Sequence, residues 1–145
     1  MVISAGEKTL IRDSWAPVYA GDRFQIGVNV FTNFFKAYPA YVDLFPSLRG
    51  VSNPSGSYQL RGHAIRVITG INYFVDALDE DKSIVDEMLN NMARSHKPRG
   101  LTREQFAQFA PVLFDSIGVS GAARDAWMKY YNKIADGLFA KMAKL

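Results

Sequence analysis

Apolar residues recur every three or four positions along most of the chain, which is the spacing of one face of an α-helix. The pattern is clearest between residues 58 and 78, where one face carries Leu60, Val67, Ile71, Phe74 and Leu78 together with a histidine. Runs of the same kind begin at Ser4, near Arg23, near residue 83, at Thr102 and after the turn at 118–121. Alternation with a period of two, as in β-strands, is nearly absent. The pattern predicts one all-α domain over residues 1–145 with about six to eight helices.

Local signals mark where several of these helices begin and end. Two capping boxes, SAGE at 4–7 and TREQ at 102–105, predict helix starts, because each pairs a hydroxyl with a Glu or Gln three residues later. Pro17 falls near the end of a helical run and predicts a kink or a stop, and Pro111 falls inside another run and predicts a local bend. Residues 46–57, rich in Pro, Gly, Ser and Asn, are predicted to be the longest irregular connection.

The composition is that of an ordinary globular protein, and it excludes several functions. Hydrophobic residues make up 48% and charged residues 21% of the chain, which argues against disorder. Cysteine is absent, so a disulfide framework, a thiolate zinc site and a thiol nucleophile are excluded. The net charge of +3 is spread along the chain, which argues against a nucleic-acid partner. No secretory signal is seen and no apolar run approaches the roughly 20 residues that span a membrane, so we expect a cytoplasmic protein.

The only two histidines, His63 and His96, each occupy the apolar face of a different predicted helix. A lone histidine on such a face is more often a hydrogen-bonded core residue than a ligand, and this interpretation stands beside any functional one. The sequence does not favour a zinc site, because the chain has no HExxH motif and no third ligand at a suitable spacing. Acid–base catalysis has no support, because no carboxylate or nucleophile is marked near either histidine. Serine hydrolysis has none either, because the chain has no nucleophile elbow.

Large apolar side chains accompany both histidines. Two imidazoles that converge across an apolar slot suit a flat cofactor with a metal at its centre, and haem iron takes imidazole in that setting. Arg66 and the KPRG turn at 97–100 offer cations for the acidic edge of such a cofactor. The apolar residues that would form the slot are Phe31, Phe34, Phe45, Val67, Met92, Phe106 and Phe109.

With these residues in order, the chain resembles the globin family over essentially its full length. Trp15 lies in the first predicted helix, as in the family, and Pro39, in FFKAYPAYVDLF, resembles the proline that opens the third helix. Gly27 and Ala64 resemble the small residues at the close crossing of the second and fifth helices. LRGHAIRV and HKPRG are more similar to intracellular globins of molluscs or annelids than to vertebrate myoglobin. The resemblance implies the globin fold, with about eight helices around a haem pocket.

The resemblance also implies haem b as the cofactor and assigns roles around it. His96 resembles the proximal histidine that binds iron, and Ser95 before it is placed to accept a hydrogen bond from the ring. His63 resembles the distal histidine, which stabilises the ligand or becomes the sixth iron ligand. Val67 resembles the valine that borders the ligand, and Phe45 the phenylalanine that wedges the haem. The other expected haem contacts are Tyr41, Ile71, Leu101, Phe106 and Phe109, with Arg99 and Arg66 at the propionates; Arg66 is equally well explained as a solvated helix charge.

Three positions depart from the myoglobin pattern. Phe31 stands where myoglobin has a leucine over the ligand, so we expect a narrower pocket. Leu48 stands where a second phenylalanine often supports the distal side. Met92 replaces a leucine one turn before His96 and is expected to pack softly on the porphyrin.

The resemblance implies reversible binding of dioxygen at ferrous iron, for storage or transport, with CO and NO as further ligands. The alternative is a six-coordinate or redox-active globin that takes part in nitric oxide, nitrite or peroxide chemistry or in sensing. We expect no enzyme as the main role, with nitric oxide dioxygenase or pseudo-peroxidase activity as secondary. The resemblance allows a monomer or a homodimer, since some clam globins pair through their fifth and sixth helices.

Overall fold

The computed structural model describes residues 2–145, and most of them are helical. The six α-helices are Ala5–Ala20 (α1), Arg23–Ala37 (α2), Tyr58–Asp76 (α3), Lys82–His96 (α4), Arg103–Ser116 (α5) and Gly121–Met142 (α6). Short 3₁₀ helices lie between them at Pro39–Leu44, Pro46–Leu48, Pro54–Gly56, Ala77–Asp79 and Lys97–Arg99. Residues 2–145 contain no β-strand. The all-α prediction is therefore confirmed.

Both predicted capping boxes are present at the starts of their helices. At α1 the Ser4 hydroxyl accepts from the Glu7 amide at 3.1 Å, and the Ser4 amide donates to the Glu7 carboxylate at 2.9 Å. Thr102 and Gln105 make the same reciprocal pair at α5, at 3.2 and 3.0 Å. Each box satisfies two backbone donors that a helix start leaves without intrahelical partners.

Neither proline ends its helix. α1 continues past Pro17 to Ala20, so the stop that was one alternative there is absent, and α5 continues past Pro111 to Ser116. Both prolines are exposed, so water can reach the backbone carbonyls that lose their amide partners. The connection at 46–57 is not wholly irregular, since it contains two 3₁₀ turns that begin at a proline. Proline suits the first position of such a turn because its missing N–H would have no partner there.

The α2 and α3 helices cross at very short range, as the two small residues predict. A Cβ atom on Gly27 would lie 2.8 Å from the Ala64 Cβ and 3.0 Å from the Ala64 carbonyl oxygen. Any larger residue at either position would hold the helices apart. This crossing fixes where α3, and with it His63, stands relative to α2.

The buried side chains form two hydrophobic clusters. The larger cluster joins α1, α5 and α6 around Trp15, Phe114 and Leu138. The smaller one joins α2, the following turns and the first part of α3 around Phe31 and Leu60. α3 packs mainly on α2 and α4 mainly on α6, while α3 and α4 make little direct contact. The two histidine-bearing helices therefore touch each other little, although the charge of His96 is near enough to His63 to lower its pKa. We call the region between α3 and α4 the cleft. None of the helices in residues 2–145 has the length and apolar character to cross a membrane.

Candidate functional site

His63 projects from α3 into an aromatic surrounding. The Phe31 ring meets the imidazole edge-on at a centroid distance of 5.0 Å, and the Phe45 ring does so at 4.7 Å. Phe31 is itself fixed by Phe35, Phe45 and Phe109. The His63 ring is thus held between two phenylalanines that cannot hydrogen-bond to it.

The Nε2 atom of His63 is buried and has no hydrogen-bond partner among residues 2–145. Burial lowers the pKa of His63 to about 4, and the positive charges of Arg66 and Arg99 act in the same direction. The imidazole is therefore neutral at physiological pH, with one N–H to donate. A buried polar atom without a partner is uncommon in a folded protein and requires a specific explanation.

His96 closes α4, and its ring is fixed by bonds to its own helix. Nδ1 lies 2.8 Å from the Met92 carbonyl oxygen and 3.0 Å from the Ser95 hydroxyl. Because a carbonyl can only accept, Nδ1 carries the proton and Nε2 keeps its lone pair. Burial lowers the pKa of His96, while the bond to Met92 acts in the opposite direction. The ring is therefore presented as a neutral base with one free nitrogen.

The walls of the cleft are apolar and incompletely covered. Phe31 and Phe106 are buried. Six further apolar residues that the sequence predicts at this site are only half-buried: Phe45, Val67, Ile71, Met92, Leu101 and Phe109. These half-buried residues belong to both clusters, and among them Phe45 contacts the ring of His63. This arrangement leaves apolar surface for a partner that lies between α3 and α4.

The polar residues predicted at the edge of the cleft differ in their contacts. Arg66 is exposed and forms no ion pair or hydrogen bond within residues 2–145. Arg99 is exposed and its Nη1 donates to the Ser95 carbonyl at 2.5 Å. The Tyr41 hydroxyl donates to Gln108 at 2.6 Å, and its ring packs with the smaller cluster. Arg66 is thus the cation with the greater freedom to meet an anionic group.

The structure adds one residue that the sequence does not predict at the site. Phe35 packs against Phe31 at 6.0 Å and against Phe45 at 5.5 Å, so it supports both rings that hold His63. Its signal in the sequence is the spacing of four from Phe31, which places both residues on adjoining positions of one helix face.

These residues fit an iron porphyrin. The free lone pair of His96 suits an axial iron ligand, and the half-buried apolar walls suit the flat ring. The buried Nε2 of His63, which has no partner among residues 2–145, is a candidate to hydrogen-bond a ligand held at that iron. Fold and site together define a haem-binding all-α protein.

Comparison with known proteins identifies the family. The family model described as Globin matches residues 28–138. A globin of Nerita albicilla is 30% identical, over 99% of this chain and 95% of that protein. The structure of ferric Aplysia limacina myoglobin is 27% identical with a TM-score of 0.83, over 95% of this chain and 97% of the other. A Drosophila melanogaster haemoglobin described as hexa-coordinate is 26% identical with a TM-score of 0.81, covering 94% and 93%.

The chain therefore belongs to the globin family. Membership brings a haem cofactor and haem-based binding of dioxygen as the general activity. The similarity to molluscan globins that LRGHAIRV and HKPRG predict is confirmed by the Nerita and Aplysia proteins.

Proposed function

We propose that residues 1–145 act as one domain that binds dioxygen reversibly, with His96 as the iron ligand and His63 as the hydrogen-bond donor to the bound gas. The observation that carries this proposal is the buried Nε2 of His63, which has no partner among residues 2–145. Folding buries that atom without a hydrogen-bond partner, which destabilises the folded state. A ligand that accepts a hydrogen bond from His63 removes this destabilisation.

His96 contributes a ring that is already oriented before it meets iron. The Met92 carbonyl, with the Ser95 hydroxyl beside it, fixes the tautomer and the rotation of the imidazole. A hydrogen bond to the outer nitrogen also raises the basicity of the other nitrogen as a ligand. Nε2 is thus prepared to hold the metal.

Haem, when bound, supplies a ferrous iron with one open coordination position for dioxygen, CO or NO. His63 would donate its N–H to the gas held there, in surroundings of low dielectric constant that strengthen a hydrogen bond to a partly negative acceptor. Phe31, Phe45 and Val67 keep water away from the same space. Arg66 and Arg99 are assigned to the propionate groups, because guanidinium pairs well with carboxylate.

A six-coordinate resting state, with His63 bound directly to iron, is the second candidate. The Drosophila haemoglobin described as hexa-coordinate supports it by similarity of fold and sequence. The edge-on contacts of Phe31 and Phe45 favour the open site, because they hold the His63 ring in place. For the same reason we assign nitric oxide, nitrite and peroxide chemistry a secondary role.

The visible absorption spectrum of the haem-loaded protein tests both candidates. One broad visible band in the unliganded ferrous state, replaced by two bands on aeration and restored on removal of oxygen, is expected for the open site. Sharp twin bands before any gas is added would instead assign the iron's sixth position to His63. Absence of a Soret band after haem addition would contradict haem binding altogether.

Replacing His63 tests the role of its N–H. We expect His63→Val to weaken dioxygen binding about ten- to hundred-fold, since a charge-assisted hydrogen bond contributes roughly 1.5–3 kcal/mol. Carbon monoxide, which carries little negative charge when bound, should be affected far less. His63→Gln retains an amide donor and serves as the matched control. An equal loss for both gases in His63→Val would show that His63 acts by shape alone.

A further inference from the structure

An open groove lies where the corner between α1 and α2 meets the outer side of α3. It has a volume of about 430 Å³ and is lined by Gly21, Asp22, Arg23, Phe24, Ile65 and Thr69. The Phe24 side chain in this groove is 40% exposed. A single exposed apolar side chain is ordinary on a protein surface. The charges around Phe24 therefore decide whether the groove has a partner.

Two guanidinium groups at this groove are stacked on aromatic rings. Arg61 lies 4.9 Å from the centroid of Phe24, Arg23 lies 4.6 Å from that of Tyr19, and neither cation has an ion pair or a hydrogen bond within residues 2–145. A stacked guanidinium keeps its in-plane N–H donors free, and these suit a carboxylate. The carboxylate of Asp22 accepts from a backbone amide at the start of α2 at 3.1 Å. We call the groove together with Arg61 the cationic groove.

The start of α4 carries a surface of the opposite charge. Ile84 is 47% exposed, and acidic residues stand on both sides of it, with Glu80 and Asp81 before the first turn and Glu87 three positions later. Glu80 and Glu87 are exposed and have no ion pair or hydrogen bond within residues 2–145. The carboxylate of Asp81 accepts from the Ser83 amide at 2.8 Å and is engaged in the helix cap. We call Glu80, Asp81, Ile84 and Glu87 the acidic face.

The cationic groove and the acidic face are complementary, because each has an exposed apolar side chain beside charges without partners and the charges are opposite. The two surfaces lie at opposite ends of α1. Asp79, the residue before the acidic face, accepts from Arg12 at 2.6 Å. From Arg12 the helix runs about 14 Å, at 1.5 Å per residue, before the chain reaches the groove at Gly21. Surfaces that are held apart in one molecule can meet only between two molecules.

We propose that the cationic groove of one molecule binds the acidic face of a second copy of this chain. In this contact Phe24 packs against Ile84, and the two arginines pair with Glu80 and Glu87. The contact is heterologous, since the two surfaces differ. It is distinct from a pairing through the fifth and sixth helices, because one of its surfaces is built on the α1–α2 corner. Neither surface contains a residue assigned to haem, so the inference stands apart from the proposed function.

Sedimentation equilibrium of the haem-loaded protein, followed by its Soret absorbance, measures this association. Partly exposed ion pairs are weak, so we expect reversible association that grows between micromolar and millimolar concentrations at low salt. At about 1 M salt, where the Debye length falls to about 3 Å, the average mass should return to that of the monomer. A protein that stays monomeric at millimolar concentration and low salt would overturn the proposal.

Reversing the charges of each surface tests whether these two surfaces form the contact. Arg23→Glu with Arg61→Glu should lower the association constant about ten-fold or more, because two attractions become repulsions. Glu80→Lys with Glu87→Lys should have the same effect. The variant with all four changes keeps the net charge of +3, and its surfaces are again opposite in charge. It should therefore associate as the parent does.

Lys36→Glu with Lys133→Glu is the matched control for the groove variant. Both lysines are exposed and without ion pairs within residues 2–145, and the change in net charge is the same. The control should associate as the parent does, and an equal loss in it would assign the association to net charge. Failure of the four-change variant to associate would assign it to another surface, and either result would overturn the proposal.

A variant without any change of charge keeps the proposal testable if a charge-reversed protein fails to fold. Ile84→Ser removes the apolar centre of the acidic face at an exposed position, so the helical circular dichroism should stay that of the parent. Its association constant should fall several-fold. An unchanged association constant in this variant would contradict the packing of Ile84 against Phe24. The Soret band of each variant is recorded first, so that loss of haem is distinguished from loss of association.

Discussion

His63 shows a conflict between folding and function at the level of one side chain. Its buried Nε2 has no partner among residues 2–145, whereas His96 has its Nδ1 bonded to Met92 and Ser95. An unsatisfied buried polar group destabilises the folded state, and an apolar side chain of similar size at the same place does not. The residue that the proposed function needs most is therefore one that stability alone would replace.

We predict that His63→Leu stabilises the haem-free protein by roughly 1–3 kcal/mol, because it removes the unsatisfied polar atom and adds apolar contact with Phe31 and Phe45. His96→Leu is the contrasting control and should destabilise, since it abandons the hydrogen bond to the Met92 carbonyl. Urea unfolding followed by circular dichroism measures both changes. A His63→Leu variant with a lower free energy of unfolding would mean that water hydrogen-bonds to the His63 Nε2 and that this atom does not destabilise the folded state.

Helical periodicity is sufficient to place both histidines on the apolar faces of their helices, and the resemblance to the family adds the contact between Ser95 and His96. The predicted pair His96–Ser95 is close in sequence, so local geometry brings the two groups together. Contacts such as Tyr41 with Gln108 join residues 67 positions apart, and no local pattern specifies them. Phe35 escapes prediction for a related reason, because only the packing shows that it supports the rings around His63.

At the scale of elements, the crossing of α2 and α3 depends on a glycine for its space and not for its backbone freedom. Gly27 is helical and buried, and a methyl group there would meet the Ala64 Cβ and backbone at 2.8–3.1 Å. Gly62 lies on the exposed side of α3, and a methyl group there would have no neighbour within 4 Å. The same chemical change should therefore have opposite effects at the two sites.

We predict that Gly27→Ala destabilises the protein by about 1–3 kcal/mol, the usual cost of overpacking. Gly62→Ala should stabilise it by about 0.5–1 kcal/mol, because alanine loses less backbone entropy in a helix. Equilibrium denaturation of the two variants side by side gives both values. A stable Gly27→Ala variant would show that α2 and α3 can separate without cost, contrary to the tight crossing.

The two helix starts that carry a capping box are predictable from sequence to the residue, while the effect of proline within a helix is not. A capping box depends on four consecutive residues, so SAGE and TREQ contain all the information needed. Whether a helix continues past Pro17 or Pro111 depends on whether the carbonyl that loses its amide partner faces water, and this is a property of the tertiary structure. The separation of α3 and α4 is likewise a property of the tertiary structure. Periodicity gives each helix an inner face but does not reveal that these two helices make few contacts.

At the scale of the whole molecule, polar side chains join helices that are remote in sequence. Asp79 is exposed and ends the short 3₁₀ helix that follows α3. In the structure it accepts from Lys8 at 2.8 Å and from Arg12 at 2.6 Å, and so ties α1 to the turn before α4. These pairs are partly exposed, so each contributes little alone.

Glu7 gives the clearest test of this long-range network, because its carboxylate serves both the α1 cap and the ion pair with Lys129 at 2.9 Å. The hydrogen bond from the Ser4 amide, followed by the one from Lys129, lowers the pKa of Glu7 from 4.5 to about 2. A carboxyl group whose folded pKa is depressed stabilises the fold above its unfolded pKa, and that stabilisation is lost as the pH falls toward the folded value. Glu7→Gln should therefore be less stable than the parent at neutral pH, and the difference should shrink between about pH 4.5 and about pH 2. Urea unfolding across this range measures it, with Glu80→Gln as control, since Glu80 is exposed and forms no ion pair within residues 2–145. A difference that stays constant with pH would assign the effect to the cap geometry and leave the charge on Glu7 without a role in holding α1 to α6.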